Sequence, residues 1–293
     1  MKKRAQWRTD LVGYAFVLPN LIGFLVFIAG PFLFSLVLGF FQWDAVGPMQ
    51  WVGLQNYIKL AGDSTFKASF LNTFYFTFTA VPLTLGTGLG VALLLNRPLA
   101  LKTAFRTVFF LPNIVTVASI GIVWQAIYHP TMGPLNMLLA SWGVTDLPTW
   151  TMDIHWAMPS IVIMSVWLNA GYYMVIFLAA LANVPQTYYE AARIDGAGGL
   201  KRFLHVTLPG ISPTIFFVMI MAIINSFKVF DQVMLLTKGG PGRATNVLVY
   251  YVYTQSFTKY KFGAASAAAN VLFLIILIVT IVQYRNQEKW VTY

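Results

Sequence analysis

Six apolar stretches, each long enough to cross a bilayer, leave this chain few folds to choose from. About 20 apolar residues span the hydrocarbon core as a helix, which satisfies its own backbone hydrogen bonds. The first span falls within Leu11 to Phe41 and the second runs from about Ser69 to Leu95. The others are Thr107 to Tyr128, Ala157 to Ala182, Gly210 to Leu236 and Gly263 to Tyr284. Charged residues make up 10% of the chain, against about 25% in soluble domains. The reading is an all-α integral membrane protein with six transmembrane helices.

The formal charge of +10 does not point to nucleic acid. The cations lie mainly beside apolar runs, where they orient a membrane protein. Lys2, Lys3, Arg4 and Arg8 precede the first run. That run is too long for a signal h-region of about 7–15 residues and ends in no convincing cleavage site. It is read as an uncleaved span, with bends at Pro19 and Pro31. Residues 42–67 carry Trp43, Trp51 and Tyr57, an interfacial pattern. Residues 1–68 are therefore grouped as tail, first span and outer interfacial segment, 69–285 as the core, and 286–293 as a tail. Arg97, Lys102, Arg106, Arg193, Lys201, Arg202, Arg285 and Lys289 share a side with the N-terminal cations. Only Lys59, Lys67, Lys238, Arg243, Lys259 and Lys261 oppose them. The bias places both termini in the cytoplasm.

Between the fourth and fifth spans lies a charged, glycine-punctuated island, residues 183–209. Pro185 suits a first helical turn, and Gln186 to Asp195 contains good helix formers. Gly196, Gly198 and Gly199 stop that helix. A second short helical run, Leu200 to Leu208, follows. The first segment would be a rod of about 16 Å at 1.5 Å per residue.

Glu190-Ala191-Ala192, then Gly196, then Val206-Thr207-Leu208-Pro209 at fixed spacing resembles the EAA loop of binding-protein-dependent ABC importer permeases. Val206 stands where the family usually has Ile. Trp51 to Tyr57, Asn72 to Thr77, Phe105 to Pro112, Phe230 to Val233 and Leu236 to Pro241 are similar to further signatures of sugar permeases of the maltose and glycerol-3-phosphate type. The resemblance implies a type I ABC importer permease fold in the cytoplasmic (inner) membrane of a prokaryote. It implies a second homologous permease in a heterodimer, two cytoplasmic ATPase subunits, an extracytoplasmic solute-binding protein and a sugar substrate. ATP would be used by the partner ATPases, with no cofactor bound here. Glu190, Ala191, Ala192, Asp195, Gly196, Leu208 and Pro209 would then couple the chain to the ATPase. Gly196→Asp, or a bulky replacement of Ala192, would abolish transport without preventing insertion.

The chain itself carries no P-loop, G-x-S-x-G or H-E-x-x-H motif, and His129, His155 and His205 are too scattered for a metal site. It has no cysteine. No catalytic or metal residue is assigned. Trp167, Asn169 and Tyr172 interrupt the fourth span, and Asn225 and Ser226 the fifth. Polar groups inside a span are expensive, and aromatic rings, amides and hydroxyls suit sugars, so these are candidate pathway residues. The same residue types also hydrogen-bond neighbouring helices. Lys228 and Asp231 are spaced to pair with each other. A secondary transporter driven by an ion gradient is the alternative; it would be expected to hold an unpaired carboxylate inside a span.

Overall fold

In a computed structural model, residues 2–287 are described. The chain is mostly helical and divides into two compact units. One comprises the residues up to Gly62 together with Val252–Val271; the other comprises Asp63–Tyr251 together with the chain from Leu272 onward.

The first unit opens with α1 (Lys2–Phe24), a π turn at Leu25–Ala29, and α2 (Gly30–Leu38). Neither Pro19 nor Pro31 breaks this run, and Val12–Leu38 qualifies as one span. The π turn just before Pro31 supplies the adjustment, with the Gly30 N–H bonding the Leu25 carbonyl. Phe16 is 83% exposed and Phe27 79%; a helix so apolar and so uncovered is built for lipid. Strands β1 (Phe41–Gln42) and β2 (Gln50–Trp51) pair antiparallel, Phe41 opposite Trp51. Asp44 caps their turn by accepting from the amides of Gly47 (2.8 Å) and Val46 (3.1 Å). Those two donors hold its carboxyl below the usual carboxylate range. Helix α3 (Gln55–Gly62) follows, and its Asn56 amide donates to the carbonyls of Gly39 and Phe41.

The second unit is built on two long helices, α4 (Ser64–Leu95) and α8 (Ala157–Asn183). Asp63 caps α4, accepting from the amides of Thr65 and Phe66, so the helix begins earlier than the predicted Ser69. Between them lie α5 (Lys102–Ile114), α6 (Val117–Ile127) and α7 (Pro134–Ser141). The third span, read as Thr107 to Tyr128, is not one continuous helix: α5 and α6 meet at 100°. Pro112 removes one backbone donor from the last turn of α5. The β-branched Val115 and Thr116 then take extended backbone, which suits them better than helix.

After α8 come α9 (Gln186–Ile194), α10 (Gly199–Arg202), a π turn at Phe203–Thr207, α11 (Leu208–Gly210) and α12 (Ser212–Phe227). The run 199–210 meets α12 at 69°. The predicted fifth span therefore bends at its start, and it breaks again at Lys228 before α13 (Asp231–Leu236). Helix α14 (Leu248–Tyr253), a π turn at Thr254–Thr258 and α15 (Phe262–Arg285) complete the described chain. The small residues opening α15 pack as expected: Ala265, Ala267 and Ala268 are buried. Four helical runs qualify singly as spans, and six if each bent pair is counted as one. The predicted tail at 286–293 lies outside the described residues from 288 onward.

One core cluster of the second unit gathers Trp124, Tyr128, Trp150, Ile161 and Val233. The other gathers Val81, Met174, Phe177, Ile211 and Val218. Helix α8 supplies both, which is why it is the most enclosed of the spans. Burial on that scale, at about 25 cal/mol per Å² of apolar surface, fixes α8 as the axis on which the site is arranged.

Candidate functional site

Helix α8 carries a polar cavity along its length and a solvent-exposed loop at its C-terminal end. The cavity, about 290 Å³, is lined from α4, α8, α12 and the start of α13, all in the second unit. Phe76, Ala80 and Thr84 of α4 stand at intervals of four, as do Ser165, Asn169 and Tyr173 of α8. Ala222, Asn225 and Ser226 of α12 face them, with Lys228, Phe230, Asp231 and Gln232 beyond the end of that helix. Residues four apart lie on one helical stripe, so each helix presents a single face to the space.

Of the predicted pathway residues, Asn169, Asn225 and Ser226 line this cavity together. Trp167 does not; it is 47% exposed and packs edge-on against Trp124. Tyr172 also stays out of the lining and turns its ring against Tyr173. Thr84, Ser165 and Tyr173 line the cavity without having been among the predicted pathway residues, although the four-residue spacing from Asn169 points to Ser165 and Tyr173. The Ser226 hydroxyl donates to the Ile223 carbonyl and lies 3.0 Å from Thr77 Oγ1, so it also ties α12 to α4. Ser165 is different. It is 3% exposed, and its hydroxyl has no hydrogen-bond partner. Ser160, earlier on the same helix, donates back to the Trp156 carbonyl at 2.8 Å. A buried polar atom left without a partner costs about 1–3 kcal/mol, which a bound polar molecule would recover. Lys228 and Asp231 do not make the expected ion pair; both are exposed side chains on the cavity wall.

The loop has a defined local geometry. Helix α9 ends in a Schellman turn: the Ala197 N–H bonds the Ala192 carbonyl at 2.8 Å and the Gly196 N–H that of Arg193 at 3.0 Å. Gly196 takes φ +72° with open space around it, the left-handed conformation glycine adopts without strain. Glu190, Ala191, Asp195 and Gly196 face solvent, while Ala192 is half-buried. Tyr188, Ile194 and Leu200 are 60%, 87% and 72% exposed, so the loop displays apolar side chains as well as charge. Leu208 and Pro209 lie half-buried at its far end in α11.

A family profile described as "Binding-protein-dependent transport system inner membrane component" matches residues 83–292. The chain belongs to that family. As an inner membrane component of this kind, it matches relatives along its whole length. It is 36% identical over 298 residues to the "Probable ABC transporter permease protein YesP" of Bacillus subtilis (strain 168), covering 100% of this chain and 96% of the relative. It is 32% identical over 284 residues to the "sn-glycerol-3-phosphate transport system permease protein UgpA" of Yersinia enterocolitica serotype O:8 / biotype 1B (strain NCTC 13174 / 8081), covering 96% and 95%. Its fold is that of a solved chain from "a bacterial ABC transporter involved in the import of the acidic polysaccharide alginate", with a TM-score of 0.86, 22% identity and 99% of both chains covered. The resemblance carried by the EAA-like loop is thereby confirmed at the level of the family. The ion-gradient alternative finds no support in these comparisons, even though Asp231 lacks the partner expected for it.

Proposed function

We propose that this chain is the transmembrane permease subunit of an ATP-driven ABC importer for a sugar or sugar derivative. The observation that carries the reading is α9: a capped, exposed rod bearing Glu190-Ala191-Ala192, set between α8 and α12, two of the helices that line the polar cavity. From Asn169 to the end of α8 the chain climbs about 21 Å at 1.5 Å per residue, and from Ser212 to Asn225 about 20 Å. A push on the loop thus acts at one end of both helices, and the cavity lies midway along α8 and at the far end of α12.

In this reading the chain crosses the cytoplasmic membrane of a prokaryote six times, with both termini inside, the bent pairs counting as the third and fifth spans. Residues 1–68 form the tail, first span and outer segment, 69–285 the permease core and 286–293 the inner tail. The chain hydrolyses nothing itself. Two ATPase subunits receive α9, with Glu190 and Asp195 offered to cations and Ala191 permitting close approach. A second, homologous permease completes the pathway, and an extracytoplasmic binding protein delivers the solute. Closure of the ATPase dimer turns α8 and α12 and exchanges an inward-facing for an outward-facing cavity. Asn169, Asn225 and Ser226 line that route. Trp167 and Tyr172 stand on the same helix, outside the cavity seen here.

The test is to isolate the complex, screen sugars by thermal shift against the co-purifying binding protein, and measure uptake into vesicles. Uptake blocked by vanadate supports the proposal. Uptake that ignores vanadate and collapses with an uncoupler alone overturns it.

A further inference from the structure

The loop is closed on itself at two points. The Tyr189 hydroxyl lies 3.0 Å from Thr207 Oγ1 across the hairpin. Nearer the membrane, Gly210 fits against Val184 so closely that a Cβ would meet its side chain at 3.1 Å. Thr207 is 6% exposed, and Tyr189 and Val206 pack against the core cluster that includes Met174 and Val218. Tyr188, the preceding residue, points away and is 60% exposed. Helix α9 therefore has an inner stripe, Tyr189 and Ala192, and an outer one that ends in Ile194. The π turn Phe203–Thr207 closes with the Leu208 N–H on the Phe203 carbonyl. Such a wide turn re-aims the side chains at its end, and here it presents the Thr207 hydroxyl to α9.

We propose that the Tyr189–Thr207 hydroxyl pair is a strut that carries motion of α9 into α12. Without it, α9 is joined to the fifth span by apolar packing of the Tyr189 ring and by the glycine-rich turn 196–199, neither of which has the directionality of a hydrogen bond. With it, a displacement of α9 reaches Thr207, three residues before the Gly210–Ile211 bend, and the fifth span moves with the fourth. The two residues act through α9 and α12 and touch no solute, so they are positioning residues. The inference rests on the coupling reading above.

Because the chain has no cysteine, one reporter can be placed cleanly. Lys228→Cys sits on the cavity wall just past α12. In the assembled complex, its rate of labelling by a maleimide is read on this chain with and without ATP and vanadate. The expected result is a nucleotide-dependent change in the parent that shrinks about threefold to tenfold in Tyr189→Phe and in Thr207→Val, the range one hydrogen bond supplies. Thr207→Ser should retain the parent response, and the double variant should be no worse than the weaker single. ATPase subunits should co-purify normally throughout, which separates positioning from misfolding. A full response in both single variants overturns the strut while leaving the coupling reading intact. A parent that never responds to nucleotide overturns the coupling reading and the strut together. If Tyr189→Phe fails to assemble, Thr207→Val against Thr207→Ser decides the matter alone.

Discussion

Asn169 donates its side-chain amide to the backbone carbonyl of Ser165, one turn back, at 2.8 Å, while the Ser165 hydroxyl beside it bonds to nothing. A mid-helix serine commonly bonds the carbonyl four residues earlier, and Ser160 and Thr280 both do so here. The lining of the cavity thus keeps one buried hydroxyl in reserve. Removing an unsatisfied group should not destabilise the fold and can stabilise it slightly. Ser165→Ala is expected to melt at or above the wild-type temperature and to raise the KM for uptake by about threefold to tenfold. A lower melting temperature with unchanged uptake would assign Ser165 to packing alone.

The absence of a Lys228–Asp231 ion pair makes a second expectation. Surface charges without partners change stability by about 0.5 kcal/mol or less. A double-mutant cycle with Lys228→Gln and Asp231→Asn should therefore show a coupling energy near zero in unfolding measurements on the purified complex. A coupling well above about 0.5 kcal/mol would show that the two side chains pair as their spacing suggested.

Gly171 marks the closest approach of α8 to α5. A Cβ there would strike the Phe109 backbone carbonyl, and backbone cannot yield as a flexible side chain does. Gly171→Ala is expected to cost about 1–3 kcal/mol, the usual penalty for overpacking. It should be seen as a lower melting temperature of the purified protein, whereas Gly86→Ala, with nothing within 4 Å, should melt as wild type.

Gly196 separates two explanations for its place in the loop. Its surroundings are open, so any effect of substitution must arise from the backbone or from a partner. Asp tolerates the left-handed region better than most residues; a β-branched side chain does not. Gly196→Val is expected to abolish transport while span insertion, followed by membrane fractionation, stays normal. Wild-type uptake in Gly196→Val would remove the loop from the mechanism.

The sequence disclosed the long helices because apolar length is a local property. The fourth span, read as Ala157 to Ala182, is α8 to within a residue. Pro185, the helix formers after it and the glycines from Gly196 onward located α9 and its stop, because those signals too are local. The α5–α6 bend and the break at Lys228 were not read, although Pro112, Val115 and Thr116 at the first and the polar residues around Lys228 at the second are local signals; such residues also occur within continuous membrane helices. Tyr172 and Tyr173 are the same residue type, so type alone could not choose between them; the four-residue spacing from Asn169 selects Tyr173 as the one lining the cavity seen here. The Ser165 hydroxyl was beyond reach, because being unpartnered is a fact about every neighbouring atom.

The most direct test of coupling through α9 uses Tyr188→Cys, a 60% exposed position in a chain without native cysteine. A membrane-impermeant maleimide is applied from either side of sealed vesicles, with and without the ATPase subunits. The expected result is labelling from the cytoplasmic side only, and strong protection once the ATPase subunits are bound. Labelling from the outer side, or equal labelling with and without those subunits, would contradict the account.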